Sequence, residues 1–311
     1  MKRTLITTSA VLLATLQLGA CDSSGLPLRD VASSGNDTIS SGDGASGDGA
    51  GADADANSDG GATALDGAGK PGTISIYVAG DLTAQTFTDG LVGQTPSDYE
   101  IAISGYAALR SGTDPAPVEC FDHGSSPVIT NMARDTFVGA CDTSKVPTGT
   151  YTHGRTKVAW SRYTVDSVYH VAGVGPMPGK LTVFRAYSDT TYQGKSYKAG
   201  TGVFIVKAAT TIEIPVTFPP LPDVPGIVKF QTVGGAMYMT FIYSRPLLIQ
   251  QGNPDAHWAR FHWKVKDSFR WADRALAGYA SGAWDLSLNP LESEAVMMYG
   301  VSGYYVTAST D

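Results

Sequence analysis

Apolar and polar side chains alternate along much of the chain after residue 73, which is the pattern of a half-buried β-strand. In 211–218, for example, Ile212, Ile214 and Val216 fall on one face. We predict strands at 73–79, 99–103, 157–160, 181–187, 202–207, 211–218, 227–232, 236–243 and 259–265. Turns rich in Gly, Pro, Asp and Ser separate them, and helical spacing is scarce. The pattern predicts a mostly β fold of the antiparallel β-sandwich type.

A proline cluster indicates where this β region divides. Five prolines crowd eleven residues: Pro215, Pro219, Pro220, Pro222 and Pro225. Proline removes a ladder donor, so the stretch cannot be a central strand. We predict two β-sandwich domains, 73–218 and 226–311, joined by a Pro-rich connection at 219–225. The alternative is one large sandwich with a Pro-rich crossover, because single β-domains can exceed about 200 residues.

The segment Pro147-Thr148-Gly149-Thr150-Tyr151-Thr152 resembles a turn that leads into a strand in immunoglobulin-like and prealbumin-like modules of bacterial surface proteins. Proline presets the turn, glycine takes the unusual backbone angle, and Tyr151 is expected to enter the core. The resemblance supports a sandwich and implies no particular activity, because sandwiches host many functions.

The N-terminus has the pattern of an export signal. Lys2 and Arg3 precede an uncharged stretch at 5–20, which is shorter than the roughly 20 residues of a membrane-spanning helix. The stretch ends Leu18-Gly19-Ala20-Cys21, which resembles the lipobox of bacterial lipoproteins. The resemblance implies removal of a signal peptide, residues 1–20, and lipidation of Cys21. The alternative is an ordinary secretory signal followed by a coincidental cysteine.

Residues 21–72 form a segment of different composition. Eight aspartates and no basic residue lie between Arg29 and Lys70, and most other positions are Gly, Ala or Ser. Such a segment cannot bury enough apolar surface to offset its ordering entropy, so we predict a disordered linker. The lipobox resemblance and this linker together predict a protein of the bacterial cell envelope. We expect it to be lipid-anchored on the periplasmic face or the outer-membrane surface.

The acidic composition and the few cysteines narrow the chemistry. The 311 residues carry a formal net charge of −7, whereas nucleic-acid binding calls for a marked excess of Lys and Arg, so we predict no nucleic-acid partner. We also predict no cofactor. Apart from Cys21, the chain has only Cys120 and Cys141, and an oxidising compartment favours one disulfide between them. Two free thiols, or half of a metal site, are the alternatives.

One segment of the linker matches a metal-binding template. The spacing of the oxygen-bearing side chains fits an EF-hand calcium loop at Asp55, Asn57, Asp59, Thr63 and Asp66. Aspartate stands where the longer glutamate is expected, and no helices flank the loop. These five residues are therefore weak candidates, and we predict no metal site.

Catalytic motifs are missing from the sequence. It contains neither an H-E-x-x-H zinc motif nor a G-x-S-x-G nucleophile turn. We therefore name no catalytic residues and favour a protein that is not an enzyme. Carboxylates that are distant in sequence can still meet in a folded chain, so catalysis remains an alternative.

The most distinctive surface candidate is a basic strand face formed by Arg260, His262, Lys264 and Lys266. These side chains alternate with apolar ones, and they suit an anionic polymer such as a polysaccharide. The alternative is that they prevent edge-to-edge aggregation. Nearby aromatic residues suit stacking on sugar rings, although core packing is the commoner role: Trp258, Trp271, Tyr279 and Trp284.

These patterns predict a non-catalytic, lipid-anchored envelope protein whose β ectodomain binds or scaffolds envelope components. Its expected partners are the membrane, through the lipid anchor, and an envelope polysaccharide or protein. Two alternatives stay open: a carbohydrate-binding or carbohydrate-acting surface lipoprotein, and a structural subunit of a surface assembly.

Overall fold

A computed structural model of the chain describes residues 70–171, 173–221, 223, 226, 228–287 and 292–309. In these residues nearly all regular structure is β-strand, with one 3-10 turn at Thr143–Lys145 and no α-helix. None of these residues belongs to a helix long and apolar enough to cross a membrane. The mostly β prediction is confirmed. The signal peptide, Cys21 and nearly all of the predicted linker lie outside the described residues.

The strands follow one another along the described chain with these bounds: β1 (Thr73–Asp81), β2 (Val92–Gln94), β3 (Ser97–Leu109), β4 (Val118–Asp122), β5 (Val128–Asn131), β6 (Thr136–Asp142), β7 (Gly149–Val171), β8 (Gly175–Ala186), β9 (Thr190–Tyr192), β10 (Lys195–Tyr197), β11 (Thr201–Lys207), β12 (Thr211–Thr217), β13 (Val228–Val233), β14 (Ala236–Ile249), β15 (His257–Lys264), β16 (Phe269–Trp271), β17 (Asp285–Ser287), β18 (Val296–Tyr299) and β19 (Gly303–Ala308).

Strand β7 organises the largest sheet. Its first half pairs with β14 and its second half with β8, while β3 runs along its other edge. The sheet has ten strands: β12-β11-β8-β7-β14-β13 form a continuous path, β3 and β17 attach to β7, and β4 and β5 attach to β3. A four-stranded sheet has the order β19-β15-β1-β6, a three-stranded sheet has the order β18-β16-β2, and β9 and β10 form a hairpin.

Strands from both sides of the Pro-rich connection share these sheets. Met237 of β14 pairs with Val158 of β7, and Arg260 of β15 pairs with Tyr77 of β1. The described residues from 70 to 309 therefore form one folded unit rather than two domains divided at 219–225. The prolines mark the end of β12, an edge strand in which Pro215 pairs with Val203. An edge strand tolerates proline because one of its edges needs no ladder donors.

The sandwich core lies between the four-stranded sheet and the ten-stranded sheet. Phe261 of β15 meets Phe241 of β14 edge-on, with ring centroids 4.7 Å apart, and its ring centroid lies 5.8 Å from that of Tyr106 on β3. All three side chains are buried. Burying each one contributes about 1.5–3 kcal/mol of hydrophobic free energy. The other face of the large sheet carries a smaller core around Trp160 and Phe184.

The predicted disulfide is present, and it joins the two layers. Cys120 lies on β4 of the ten-stranded sheet and Cys141 on β6 of the four-stranded sheet, with their Cα atoms 4.5 Å apart. The predicted burial of Tyr151 is also confirmed: its side chain lies in the core and its hydroxyl donates to the Pro147 carbonyl at 2.8 Å.

Two pairings depart from the antiparallel expectation. Strands β1 and β15 are parallel, and so are β17 and β7. Parallel neighbours need a long connection, and these partners are far apart in sequence, so no tight turn constrains their direction. Alternation within a strand cannot reveal this, because it shows which face is buried but not which strand lies alongside.

Candidate ligand-binding face

Strand β15 turns its basic side chains away from the core. Buried and half-buried residues alternate along it, so His257 is buried and His262 is half-buried on the opposite face, as the spacing of the two histidines predicts. The neighbouring strands add aromatic side chains to that second face, which we call the outer face. It is formed by Tyr77, Phe137, Trp258, Arg260, His262, Lys264 and Tyr305.

One half of the outer face is built around Arg260. Its guanidinium lies 5.6 Å from the ring centroid of Tyr77 and 5.2 Å from that of Trp258, within cation-π range. Phe137 of β6 packs edge-on against Tyr77 at 5.6 Å. The guanidinium also forms an ion pair with Asp135 at 2.8 Å. The charge of Arg260 is therefore balanced, and its surroundings are aromatic.

The other half is built around Tyr305. The imidazole of His262 stacks on the Tyr305 ring with centroids 4.3 Å apart, and the Lys264 ammonium lies 5.8 Å from that ring. The Tyr305 hydroxyl donates to Asp81 at 3.3 Å. Burial, followed by the positive charge of Arg260, lowers the pKa of His262, so the imidazole is neutral at pH 7. Its Nε2 lies 2.9 Å from the hydroxyl oxygen of Thr307.

The predicted basic set is therefore brought together only in part. Arg260, His262 and Lys264 share the outer face, whereas Lys266 lies beyond the end of β15 and pairs with Asp267 at 3.4 Å. Neutral His262 and the ion pair of Arg260 leave little net positive charge. Sequence alternation finds the cations but not their acidic partners, because Asp135 comes from a distant part of the chain.

The predicted aromatic set also separates. Trp271 and Trp284 are core residues, 1% and 3% exposed, whereas Trp258 is half-buried on the outer face. Sequence reasoning missed Tyr77, Phe137 and Tyr305, which join Trp258 only because four strands pair in one register. Phe137 and Tyr305 are exposed by 48% and 37%, so their rings are accessible to a ligand.

A buried polar cluster was also missed by sequence reasoning. Asp285 is fully buried, and its carboxylate lies 2.5 Å from Nε2 of His170. The Glu294 carboxylate accepts hydrogen bonds from the main-chain N–H groups of Arg274 and Asp285, and burial raises its pKa. The ring of Tyr279 stacks on His170 at 4.2 Å. These contacts hold the chain on both sides of β17 against the end of β7.

No metal centre is found in the described part of the chain, where no three His, Cys, Asp or Glu side chains are grouped to hold an ion. The weak calcium candidates, Asp55 to Asp66, lie outside the described residues.

No protein-family model, curated protein or solved structure matches this chain. The function is therefore inferred from the geometry of the sites themselves.

Proposed function

We propose that this chain is a non-catalytic, lipid-anchored protein of the bacterial cell envelope whose ectodomain binds a glycan on the outer face. The observation that carries the proposal is the row of accessible aromatic side chains on one solvent-facing sheet surface. Phe137, Trp258 and Tyr305 come from three strands of the four-stranded sheet and are interleaved with Arg260 and His262.

Sugars suit such a surface for two physical reasons. The C–H face of a pyranose ring is weakly apolar and packs on aromatic rings, whereas its hydroxyls need hydrogen-bond donors and acceptors around its edge. Arg260, His262 and Asp81 provide those groups between the rings. Because Arg260 is already paired with Asp135, the balance of charge favours a neutral or weakly charged glycan over a polyanion.

The N-terminal features support an anchored binding role. If the predicted linker behaves as a flexible coil, its roughly 50 residues would have a root-mean-square reach of roughly 40 Å, which repulsion among its aspartates would extend. A lipidated Cys21 would then let the ectodomain search the space beside its membrane. Replacement of Cys21 by Ser should release the protein into the soluble fraction, and tight membrane association of that variant would contradict the anchor.

Glycan binding is tested by titrating the mature protein with fractionated envelope polysaccharides while following tryptophan fluorescence. We expect a saturable change with at least one fraction, and roughly 2- to 13-fold weaker binding for Trp258→Ala, because an aromatic contact contributes roughly 0.5–1.5 kcal/mol. Leu248→Ala is a matched control, since Leu248 is 70% exposed and lies on β14, outside the four-stranded sheet. Equal affinity of Trp258→Ala and the unaltered protein would rule out the outer face as the glycan site.

A further inference from the structure

One edge of β7 pairs first with β3 and, further along β7, with β17. The last pair of the β3 ladder is Ser97 with Thr164. Two residues further along β7, the side-chain amide of Gln94 donates to the main-chain carbonyl of Asp166 at 2.8 Å and accepts from its main-chain N–H at 3.0 Å. Val168 then donates its N–H to the Trp284 carbonyl at 2.9 Å, where β17 begins to pair with β7. A side chain and a loop thus replace a neighbouring strand, and the sheet is interrupted beside 166–168.

A cleft of about 610 Å³ lies at this interruption. It is lined by β7 and β8 around Asp166 and Lys180, by Gln94 and Trp271, and by the turn that ends at Trp284. Its volume falls in the range of roughly 300–1,000 Å³ that small-molecule sites occupy. The cleft shares no lining residue with the outer face.

Trp271 lines the cleft, and its hydrogen-bond donor is buried in the cleft wall. Its side chain is 1% exposed, and its indole N–H has no partner among the described residues. The indole N–H of Trp284, by contrast, donates to the Glu294 carbonyl at 3.3 Å. A buried donor without a partner is unfavourable, so a ligand oxygen that displaced the cleft wall enough to reach Trp271 would recover part of that free energy.

The rim of the cleft carries opposite charges. Asp166 and Lys180 face each other across β7 and β8, with Nζ and Oδ1 3.3 Å apart and both side chains largely exposed. An exposed pair of this kind contributes little to stability, so both groups can exchange partners at small cost. Together they offer an acceptor and a donor to a ligand with several hydroxyls.

We propose that this cleft binds a single sugar residue, with one of its oxygens accepting the hydrogen bond of the Trp271 indole. Pro178, which is exposed on the cleft lining, provides apolar surface for the C–H groups of the sugar. Asp166 and Lys180 bind hydroxyls at the rim. This site is separate from the outer face and does not depend on the glycan proposal made for that face.

The test follows the indole N–H signals of the intact, ¹⁵N-labelled protein by NMR. The chain has five tryptophans, and the Trp271 signal is identified by its loss in Trp271→Phe. Glucose, N-acetylglucosamine and glucuronic acid serve as probes at concentrations on the order of 10 mM, which would nearly saturate a site with a Kd of about 1 mM. We expect a saturable shift of the Trp271 signal with at least one probe. No shift with any of the three overturns the proposal.

Two variants locate the binding. Trp271→Phe keeps an aromatic ring and removes the N–H, so its binding is followed through the indole signal of Trp284, which also lines the cleft. We expect roughly 2- to 13-fold weaker binding, because one hydrogen bond contributes roughly 0.5–1.5 kcal/mol. Lys180→Ala alters an exposed side chain, so the fold is preserved, and we expect several-fold weaker binding. Lys198→Ala is its control, since Lys198 is an equally exposed lysine that is paired elsewhere, with Asp189.

Unchanged affinity in both Trp271→Phe and Lys180→Ala would place the sugar outside the cleft and refute the proposal. Trp258→Ala separates the two sites, because it alters the outer face and leaves the cleft intact. A Trp271 shift that persists in Trp258→Ala supports the cleft even if the outer face binds no glycan. Its loss in that variant would assign the sugar to the outer face.

Discussion

The outer face and the cleft use similar residues in opposite settings. Each combines tryptophan with an ion pair, but Trp258 is half-buried on a continuous sheet, whereas Trp271 is 1% exposed beside an interruption of one. Arg260 forms an ion pair with Asp135, while the indole N–H of Trp271 has no partner in the part of the chain that the structure describes. Continuous strand pairing therefore gives a broad, solvent-facing surface, and a break in the pairing gives a partly open cleft.

The largest expected difference between the two regions is in stability. Trp271→Ala should lower the free energy of unfolding by about 3–5 kcal/mol, since it leaves a cavity in a packed core. Trp258→Ala should lower it by about 1 kcal/mol or less, because solvent can fill the space on the outer face. Urea denaturation of both variants measures the difference. Equal losses would mean that the two tryptophans are packed alike.

The disulfide should matter to one region more than to the other. It ties β6, an edge strand of the four-stranded sheet, to β4. Replacing Cys120 and Cys141 by Ala should lower the free energy of unfolding by roughly 3 kcal/mol in the chain-entropy model.

Loosening β6 displaces Phe137 from the outer face, so we also expect weaker glycan binding in this double variant and little change at the Trp271 cleft. Denaturation with and without reductant measures the first effect, and the two binding titrations measure the second. A greater loss of binding affinity at the cleft than at the outer face would show that the disulfide supports the cleft more than the outer face.

The smallest effect concerns pH. Burial lowers the pKa of His262 below its ordinary value of 6.5, so below that pH the unfolded chain binds more protons than the folded one. The stability contributed by neutral His262 is therefore fully present above pH 6.5 and is lost as pH falls through the folded pKa. Burial raises the pKa of Glu294, near the cleft, so the stability contributed by protonated Glu294 is present at low pH and is lost as the pH rises through its folded pKa.

The measurement is an NMR titration of the His262 ring proton, for which we expect a midpoint below 6.5. His262→Asn should also flatten the loss of stability as the pH falls below 6.5. A midpoint at or above 6.5 would show that the ring is more hydrated on the outer face than its burial implies.

The strands and the disulfide were predictable because their causes are local or few. Alternation in 259–265 shows directly which side chains of β15 face the core, and the two cysteines other than Cys21 have one obvious pairing. The two-domain division failed for a reason that is also clear. Proline reports that a segment is not a central strand, but it does not distinguish a linker from the end of an edge strand such as β12.

The sequence shows each aromatic residue of the outer face, but it does not show that these residues lie on one surface. Tyr77 and Tyr305 lie about 230 residues apart in sequence, and they share a surface because β1 and β19 both pair with β15. No periodicity within either strand encodes that register. The pairing of Arg260 with Asp135, which makes the surface more aromatic than basic, has the same origin.

The sequence by itself determined the β class of the protein, the face that β15 buries and the disulfide, because side-chain alternation and residue type act over a few positions. It also contains the N-terminal pattern that resembles a lipoprotein signal and lipobox, on which the proposed location rests. The tertiary structure decided that 70–309 is one folded unit and which aromatic residues meet on the outer face. It alone placed a cleft beside β7, because strand order and register arise from contacts between distant segments, and these are settled by packing of the whole core.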